Sequence, residues 1–323
     1  MDPDTRLVLQ ALADARGGYF VRADLDALAI DPEVLGPWMR QRHVRRIRHG
    51  AYAVAASYDP LKEAEQYAVR CLAVADKLAP NAVLCGPSSL AVQGKPLVGA
   101  DLSRVHVVRR DGQTGRDQAG VRHRRFAVSD EDLVEIDGRL MTSEVRAIWE
   151  SGVCNSPRSS LVLMDHALLA ETVTRDDLER VGDVFASWAG SRAPRTALAL
   201  ADGRAESAGE SVTRWFFHVF DLPMPDLQFV VVDAYGEPIG RTDYAWHDHR
   251  LLGEFDGKIK YARGFVEGKD PDDIVMDERE REKQLCARRY GMIRFVWRDV
   301  WRPSVAEARR VRDELEASRR RFL

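Results

Sequence analysis

The sequence predicts an α+β fold of two or three compact domains. Three observations lead to this prediction. The 323 residues are 45% hydrophobic and 31% charged, which is enough apolar material for several cores of about 100 to 200 residues each. Helical patterns followed by a short hairpin pattern open the chain, and a helical pattern followed by three strand patterns lies near its end. Gly203 interrupts two helical patterns, so we predict domains at 1–57, 58–204 and 205–323.

The first domain is predicted to be a winged helix-turn-helix. Apolar spacing indicates helices at 5–15, 22–29 and 33–42, and strands at 44–48 and 51–54 joined around His49 and Gly50. In that architecture the third helix enters the major groove and the hairpin lies along phosphates. The basic run RQRHVRRIRH falls on these two elements, and its predicted DNA-binding residues are Arg40, Arg42, Arg45, Arg46 and Arg48. The alternative is a module of this type that serves only in packing or dimerisation.

The middle domain is predicted to mix helices and strands. A long amphipathic helix covers 60–78, and a strand runs into a helix over 83–92. A strand pattern follows at 103–110, and mostly helical sequence then runs to Leu200. No catalytic constellation stands out there. Cys71, Cys85, Cys154 and Cys286 are scattered, which favours a reducing compartment and argues against a structural metal. The N-terminus is acidic and no apolar run approaches the roughly 18 residues of a bilayer span, so we expect a cytoplasmic protein without a membrane partner.

The third domain carries the candidate chemistry. A helix is predicted at 206–220, and strands at 227–232, 239–246 and 251–255. If the last two strands form a hairpin centred between Asp248 and His249, Asp243 lies directly opposite Glu254. Period-two alternation then adds Asp256 to the same face, followed by Lys258 and Lys260 if the strand continues past Gly257.

Carboxylates crowded on one sheet face repel one another, and a hard cation would relieve that repulsion. Mg²⁺ (or Mn²⁺) is held by one or two carboxylates together with water and substrate phosphate. We therefore predict a metal site at Asp243, Glu254 and Asp256, with a lysine that orients or deprotonates the attacking water. The alternative is the wet face of an antiparallel sheet on which the lysines pair with the acids.

The C-terminal residues resemble the PD-(D/E)xK nuclease superfamily, in particular its branch similar to the very-short-patch mismatch-repair endonucleases. The similarity covers about 206–301. It lies in ESAGESVTRWFF, LPMPDLQFVVVDAYGEPIGRTDYAW, LLGEFDGKIKY and the strand from Ile293 to Trp297. It implies a restriction-endonuclease-like mixed sheet flanked by helices.

The resemblance also assigns roles to residues. It implies that Asp243 and Glu254 are the metal ligands, that Glu210 is the acid on the first helix, and that Gln228 lies near the site. Asp256 stands where the superfamily usually has its lysine, so Lys258 or Lys260 would have to reach in from further along the strand. The predicted catalytic residues are Glu210, Asp243, Glu254, Asp256, Lys258 and Lys260.

The first 150 residues resemble the antitoxin half of AbiE-type abortive-infection systems. The similarity lies in RRIRHGAYAV, GPSSLAVQGKP and TSEVRAIWE. It implies a DNA-binding front and a middle domain typical of that family, with DNA, a cognate toxin or a second copy of the chain as partners.

Together these patterns predict a DNA-binding, Mg²⁺-dependent endonuclease of phage defence or DNA repair. The alternative is a non-enzymatic regulator or antitoxin of a toxin-antitoxin system with a degenerate nuclease fold. The presence of all three carboxylates favours the enzyme.

Overall fold

A computed structural model of the chain describes residues 1–111, 117–125, 127–233, 235–257 and 289–323. Lys258, Lys260 and Cys286 lie outside these ranges. The described residues form a mixed α and β protein, as predicted. They divide into two compact units: Met1–Leu163 with Arg175–Thr196, and Met164–Thr174 with Ala197–Leu323. The predicted boundary between residues 204 and 205 therefore falls inside the second unit.

The first unit opens with a small three-stranded sheet surrounded by helices. The elements are α1 Pro3–Arg16, β1 Phe20–Val21, α2 Arg22–Ala27, a 3-10 turn Pro32–Val34, α3 Leu35–Arg40, β2 Val44–Arg48, β3 Ala51–Val54 and α4 Ala55–Tyr58. The strands are antiparallel in the order β1-β3-β2. Asp2 caps α1 by accepting the N–H of Thr5 at 2.8 Å, and the left-handed Gly17 ends it. Leu9, Phe20 and Leu25 centre the core.

The third helix is shorter than the sequence pattern predicts. A helix over 33–42 was expected, but α3 ends at Arg40, and Arg42 adopts a left-handed backbone with φ of 60°. The N–H of His43 returns to the carbonyl of Trp38 at 2.9 Å, which closes the helix with a Schellman-type turn. Pro37 is tolerated because it occupies the first turn, where no intrahelical N–H is needed.

A five-stranded sheet forms the rest of the first unit, together with helices. The elements are α5 Glu63–Ala75, β4 Ala82–Leu84, α6 Pro87–Val92, β5 Val105–Arg109, β6 Val121–Arg124, a 3-10 turn Asp130–Asp132, β7 Leu133–Ile136, β8 Arg139–Thr142, α7 Glu144–Gly152, α8 Pro157–Leu169, α9 Arg175–Val184 and α10 Arg192–Leu200. The strand order is β6-β5-β4-β8-β7. The last residues of α8 and α10 belong to the second unit.

A buried carboxylate joins the sheet of the first unit to its helices. Glu150 on α7 accepts the backbone N–H of Gly86 at 2.9 Å and the hydroxyl of Thr142 at 2.8 Å. Arg146, one turn earlier, donates to the same carboxylate at 3.1 Å. These charge-assisted bonds satisfy a group that would otherwise be costly to bury, so this network is structural.

The second unit is built on a four-stranded mixed sheet. Its elements are α11 Ala208–Val219, β9 Asp226–Val232, β10 Pro238–Trp246, a 3-10 turn His247–His249, β11 Leu251–Phe255, β12 Gly291–Phe295, α12 Trp297–Trp301 and α13 Val305–Phe322. The strand order is β12-β11-β10-β9, with β9, β10 and β11 antiparallel and β12 parallel to β11. Phe216 and Phe217 of α11 pack against Tyr244, Trp246 and Phe295 on one face of the sheet.

A buried ion pair links the second unit to its early segment. Asp165 on α8 accepts from Arg214 on α11 at 2.8 Å, and their side chains are 1% and 5% exposed. The other carboxylate oxygen of Asp165 accepts the N–H of Asp202 at 2.8 Å. Both partners lie in the second unit, to which residues 164–174 belong although they precede the predicted boundary.

Two composition-based expectations can be compared with the structure. Cys71 and Cys85 are buried free thiols, as expected of small apolar residues, and Cys154 is half-buried. Among the residues described, no helix combines the length and apolar character needed to cross a membrane.

Candidate active site

The hairpin of β10 and β11 has the register predicted from the position of its turn. Tyr244 pairs with Gly253, Ala245 with Leu252 and Trp246 with Leu251. Continued by one residue, this register places Asp243 opposite Glu254. The turn itself is the 3-10 segment His247–His249, closed by a left-handed Arg250 with φ of 51°.

A row of four polar residues, one on each strand, crosses the sheet at the position of Asp243. The β9 register pairs Phe229 with Thr242 and Leu227 with Tyr244, so Gln228 stands opposite Asp243. On the other side, Glu254 pairs with Arg294 of β12. Alternation along β11 and β12 turns Glu254 and Arg294 away from the face that contacts the aromatic side chains of α11, whereas the carboxylate of Asp243 bonds to the β11 backbone. The apolar cluster of Ala245, Leu252 and Met292 lies one step further along the face of Glu254 and Arg294.

Asp243 is fixed in place by the neighbouring strand. Its Oδ2 accepts the backbone N–H of Phe255 at 2.7 Å. This bond replaces a strand-to-strand bond at the end of the β10 and β11 ladder. Because a charged acceptor strengthens the hydrogen bond, it orients the carboxylate as well as holding the end of β11.

Glu254 lies between a carboxylate and a cation. Its side chain is 14% exposed, and its Oε2 is 3.9 Å from Nη2 of Arg294, whose side chain is 31% exposed. Sequence reasoning missed Arg294. The available signal was its position between the buried Ile293 and Phe295, which turns Arg294 toward the opposite face.

Glu210 approaches the row from the first turn of α11. Its Oε2 accepts the backbone N–H of Glu206 at 2.8 Å and the side-chain amide of Gln228 at 2.9 Å. Burial raises the pKa of Glu210, and the negative charge of Asp243 raises it further. Glu210 and Asp243 are therefore close enough to interact electrostatically.

The surroundings of Glu210 are closely packed, and the backbone of its partner Gln228 is strained. Gly209 lies against the ring of Phe255, and a Cβ at Gly209 would come within 1.9 Å of that ring. Gln228 has φ of 54°, a left-handed conformation that is unusual for a non-glycine residue within a strand. Such strain is typical of functional sites, where the surrounding structure fixes an unfavourable backbone. Here it accompanies the bond from Gln228 to Glu210.

The predicted set of three metal ligands is not assembled in the described ranges. Within them, no group of three or more His, Cys, Asp or Glu side chains is arranged to hold a metal ion. Asp256 follows the end of β11, where its N–H donates to the carbonyl of Phe295 at 2.7 Å. Because Mg²⁺ takes one or two carboxylates and fills its other positions with water and phosphate, the pair Asp243 and Glu254 could hold a cation.

The predicted DNA-binding arginines fall into two groups. Arg40, Arg42 and Arg46 are exposed. Arg45 instead makes a two-pronged ion pair with Asp59, with contacts of 2.7 and 2.6 Å. Arg48 is partly buried, and its Nη1 donates to the carbonyl of Ala73 at 3.4 Å.

Replacing Glu210 by Gln should change the pH dependence of stability. A raised pKa in the folded state means that the folded protein holds this proton more tightly than the unfolded chain does. The stability that this proton contributes to the folded protein is fully present below the ordinary pKa of 4.5. It is lost as the pH rises through the pKa of Glu210 in the folded state. Glutamine cannot ionise, so Glu210→Gln should be more stable than the parent at neutral pH, and this advantage should shrink under acid conditions.

Urea denaturation between acid and neutral pH measures this effect. Glu316→Gln, an exposed change on α13, is the matched control and should show no such pH-dependent gain. A Glu210→Gln protein that is destabilised equally at every pH would show that ionisation of Glu210 is not a source of strain.

Comparison with known proteins identifies relatives without an assigned activity. No known protein-family profile matches the chain. Two Mycobacterium tuberculosis proteins are each 30% identical to it over 188 residues: uncharacterized protein MT2308 of strain CDC 1551 / Oshkosh and uncharacterized protein Rv2248 of strain H37Rv. The aligned region covers 58% of this chain and 66% of each relative, just under two thirds of their length.

Proposed function

We propose that the chain is a DNA-binding endonuclease that uses a divalent cation, Mg²⁺ or Mn²⁺, to hydrolyse phosphodiester bonds. The observation that carries the proposal is the opposition of Asp243 and Glu254 on adjacent strands, beside the buried Glu210. Like charges opposed across a sheet repel each other, and a bound cation would relieve that repulsion. The restriction-endonuclease-like arrangement expected from the resemblance belongs to this proposal.

Each residue of the site has a defined part in the proposed reaction. Asp243 and Glu254 would hold the cation, which supplies Lewis acidity and lowers the pKa of bound water. The Phe255 N–H keeps Asp243 in one orientation, so little reorganisation is needed when substrate binds. Glu210, with its raised pKa, is suited to hold or accept a proton near the reacting phosphate.

The order of elements in the second unit supports the nuclease proposal. A helix bearing an acid, α11, precedes an antiparallel meander of three strands, and a fourth strand joins β11 in parallel. The acids come from the helix and from the two central strands. This placement agrees with the roles that the resemblance assigns to Glu210, Asp243 and Glu254.

The N-terminal elements support DNA as the substrate. Helices α1, α2 and α3 followed by the β2 and β3 hairpin have the order of a winged helix-turn-helix. Arg40 and Arg42 lie at the end of α3, and Arg46 lies on the hairpin. We propose that this surface contacts the phosphates of duplex DNA, with Arg40, Arg42 and Arg46 as its principal cations.

Salt dependence should separate the exposed arginines from the paired one. Removing one arginine that neutralises a phosphate lowers the slope of log affinity against log salt by about 0.9. Arg46→Ala should show this reduction, whereas Arg45→Ala should change the slope less, because Asp59 already neutralises Arg45. Fluorescence anisotropy with a short labelled duplex over a range of KCl concentrations measures the slopes.

A distant exposed arginine provides the control for this comparison. Arg180 on α9 is exposed and pairs with Asp177, so Arg180→Ala should leave the slope unchanged. If the slope is unaltered in Arg46→Ala, the hairpin is not part of the surface that contacts DNA.

The proposed activity is tested by incubating the purified full chain with supercoiled plasmid and with short single- and double-stranded DNA. Cleavage is expected with Mg²⁺ or Mn²⁺ and should stop when EDTA is added. Failure to cleave with either ion under any condition would reject the enzymatic proposal.

A non-enzymatic regulator or antitoxin is the second candidate. The observation that favours it is the lack, in the described ranges, of a third metal ligand beside Asp243 and Glu254. In this case the winged-helix surface would bind the chain's own promoter, and the second unit would bind a cognate toxin or a second copy. DNA binding without cleavage is the result that distinguishes this candidate.

A further inference from the structure

A phosphate that reaches the Asp243 and Glu254 pair brings its negative charge toward two carboxylates, with Glu210 close by. A single divalent cation offsets these charges only in part. The site therefore benefits from a further positive group placed beside the pair. Asp256, one residue beyond β11, adds another acid rather than a base.

Arg294 is placed to supply that charge. It is the register partner of Glu254 on β12, so Asp243, Glu254 and Arg294 occupy adjacent positions on three consecutive strands. Its neighbours Ile293 and Phe295 are buried on the other face. The sheet thus presents Arg294 on the same face as Glu254, one strand further from Asp243.

The contact between Arg294 and Glu254 leaves part of the guanidinium open to solvent. The two charged groups are 3.9 Å apart, and the Arg294 side chain is 31% exposed. Partly exposed pairs at such distances contribute about 0 to 1 kcal/mol. By contrast, a guanidinium has five N–H donors in a planar fork, a geometry that matches two oxygens of a phosphate.

We propose that Arg294 binds the non-bridging oxygens of the phosphodiester that is hydrolysed at Asp243 and Glu254. This inference rests on the proposed function. In the reaction a water oxygen bonds to phosphorus and releases its proton, while the bond from phosphorus to one sugar oxygen breaks and that oxygen takes up a proton. Arg294 exchanges no atoms in this step, but its N–H groups stabilise the charge that grows on the non-bridging oxygens.

The test uses the full chain with Arg294→Ala and Arg294→Lys. Single-turnover plasmid cleavage in Mg²⁺ should fall by about 10²- to 10³-fold in Arg294→Ala, as when other transition-state donors are removed. Arg294→Lys should retain more activity, because it keeps the charge but loses the fork. Affinity for a short duplex, measured with Ca²⁺ in place of Mg²⁺, should change far less than the rate. Added guanidinium chloride should restore part of the Arg294→Ala rate, whereas the same concentration of KCl should not.

Arg298→Ala is the matched control, because Arg298 is nearby in sequence but is 86% exposed and pairs with Asp299. If Arg294→Ala cleaves DNA as fast as the wild-type chain does, the role of Arg294 is overturned and the proposed function still stands. Loss of both thermal stability and activity, without rescue by guanidinium or by lysine, would make Arg294 structural and also overturn the inference. No cleavage by the wild-type chain would reject the proposed function and this inference with it.

Discussion

Asp243→Asn and Glu254→Gln should each reduce DNA cleavage by at least about 10³-fold, the scale on which an essential catalytic group contributes. Each change keeps the shape of the side chain but removes the negative charge that holds a hard cation. In Asp243→Asn the amide oxygen can still accept the Phe255 N–H, which is 2.7 Å from Oδ2 in the parent. The fold should therefore survive, and the loss should appear in the rate of cleavage.

Binding and stability measurements complete this prediction. Duplex affinity should stay near the parent value, because the proposed DNA surface is formed by Arg40, Arg42 and Arg46 in the first unit. Stability in the absence of metal should be unchanged or higher, because one charge is removed from a crowded face. Cleavage that persists equally in both variants would identify a contaminating nuclease.

Asp165→Ala should destabilise the second unit by about 3 to 5 kcal/mol, the cost of breaking a buried ion pair by removing one partner. The change leaves the Arg214 guanidinium, whose side chain is only 5% exposed, without the carboxylate that it contacts at 2.8 Å. It also removes the acceptor of the Asp202 N–H. Urea denaturation followed by tryptophan fluorescence measures the loss in the transition of this unit.

The exposed pair of Asp177 and Arg180 supplies the control for Asp165→Ala. Asp177→Ala breaks a surface contact of the same chemical type and should cost less than about 1 kcal/mol. Replacing both buried partners, with Asp165→Leu and Arg214→Met, should recover part of the loss, because no uncompensated charge is left inside. Equal stability of Asp165→Ala and Asp177→Ala would show that the pair does not stabilise the unit.

Local patterns were sufficient to predict the central hairpin of the site. The turn between β10 and β11 and the alternation of apolar residues together set its register, because a slip of one residue would turn every side chain to the wrong face. The register of Tyr244 with Gly253, continued by one residue, places Asp243 opposite Glu254. The hairpin around Gly50 was predicted because glycine tolerates a positive φ at a tight turn, and Gly50 adopts φ of 76° in the structure.

Features that depend on distant segments could not be predicted in this way. Arg294 joins Glu254 through a parallel pairing of β11 and β12, whose partners are 40 residues apart in the sequence. The ion pair of Asp165 with Arg214 joins residues that are 49 positions apart in the sequence, on two different helices. In the hairpin, strand alternation identified basic residues but not the ion pair that Arg45 forms with Asp59.

Calorimetric titration of the full chain with Mn²⁺ tests the central claim most directly, because it measures cation binding without requiring cleavage. The parent should bind Mn²⁺ at a site that is lost in both Asp243→Asn and Glu254→Gln and retained in the exposed control Glu316→Gln. Mn²⁺ binding of equal affinity in the parent and in both carboxylate variants, or no binding by the parent, would contradict the assignment of Asp243 and Glu254 as a cation site.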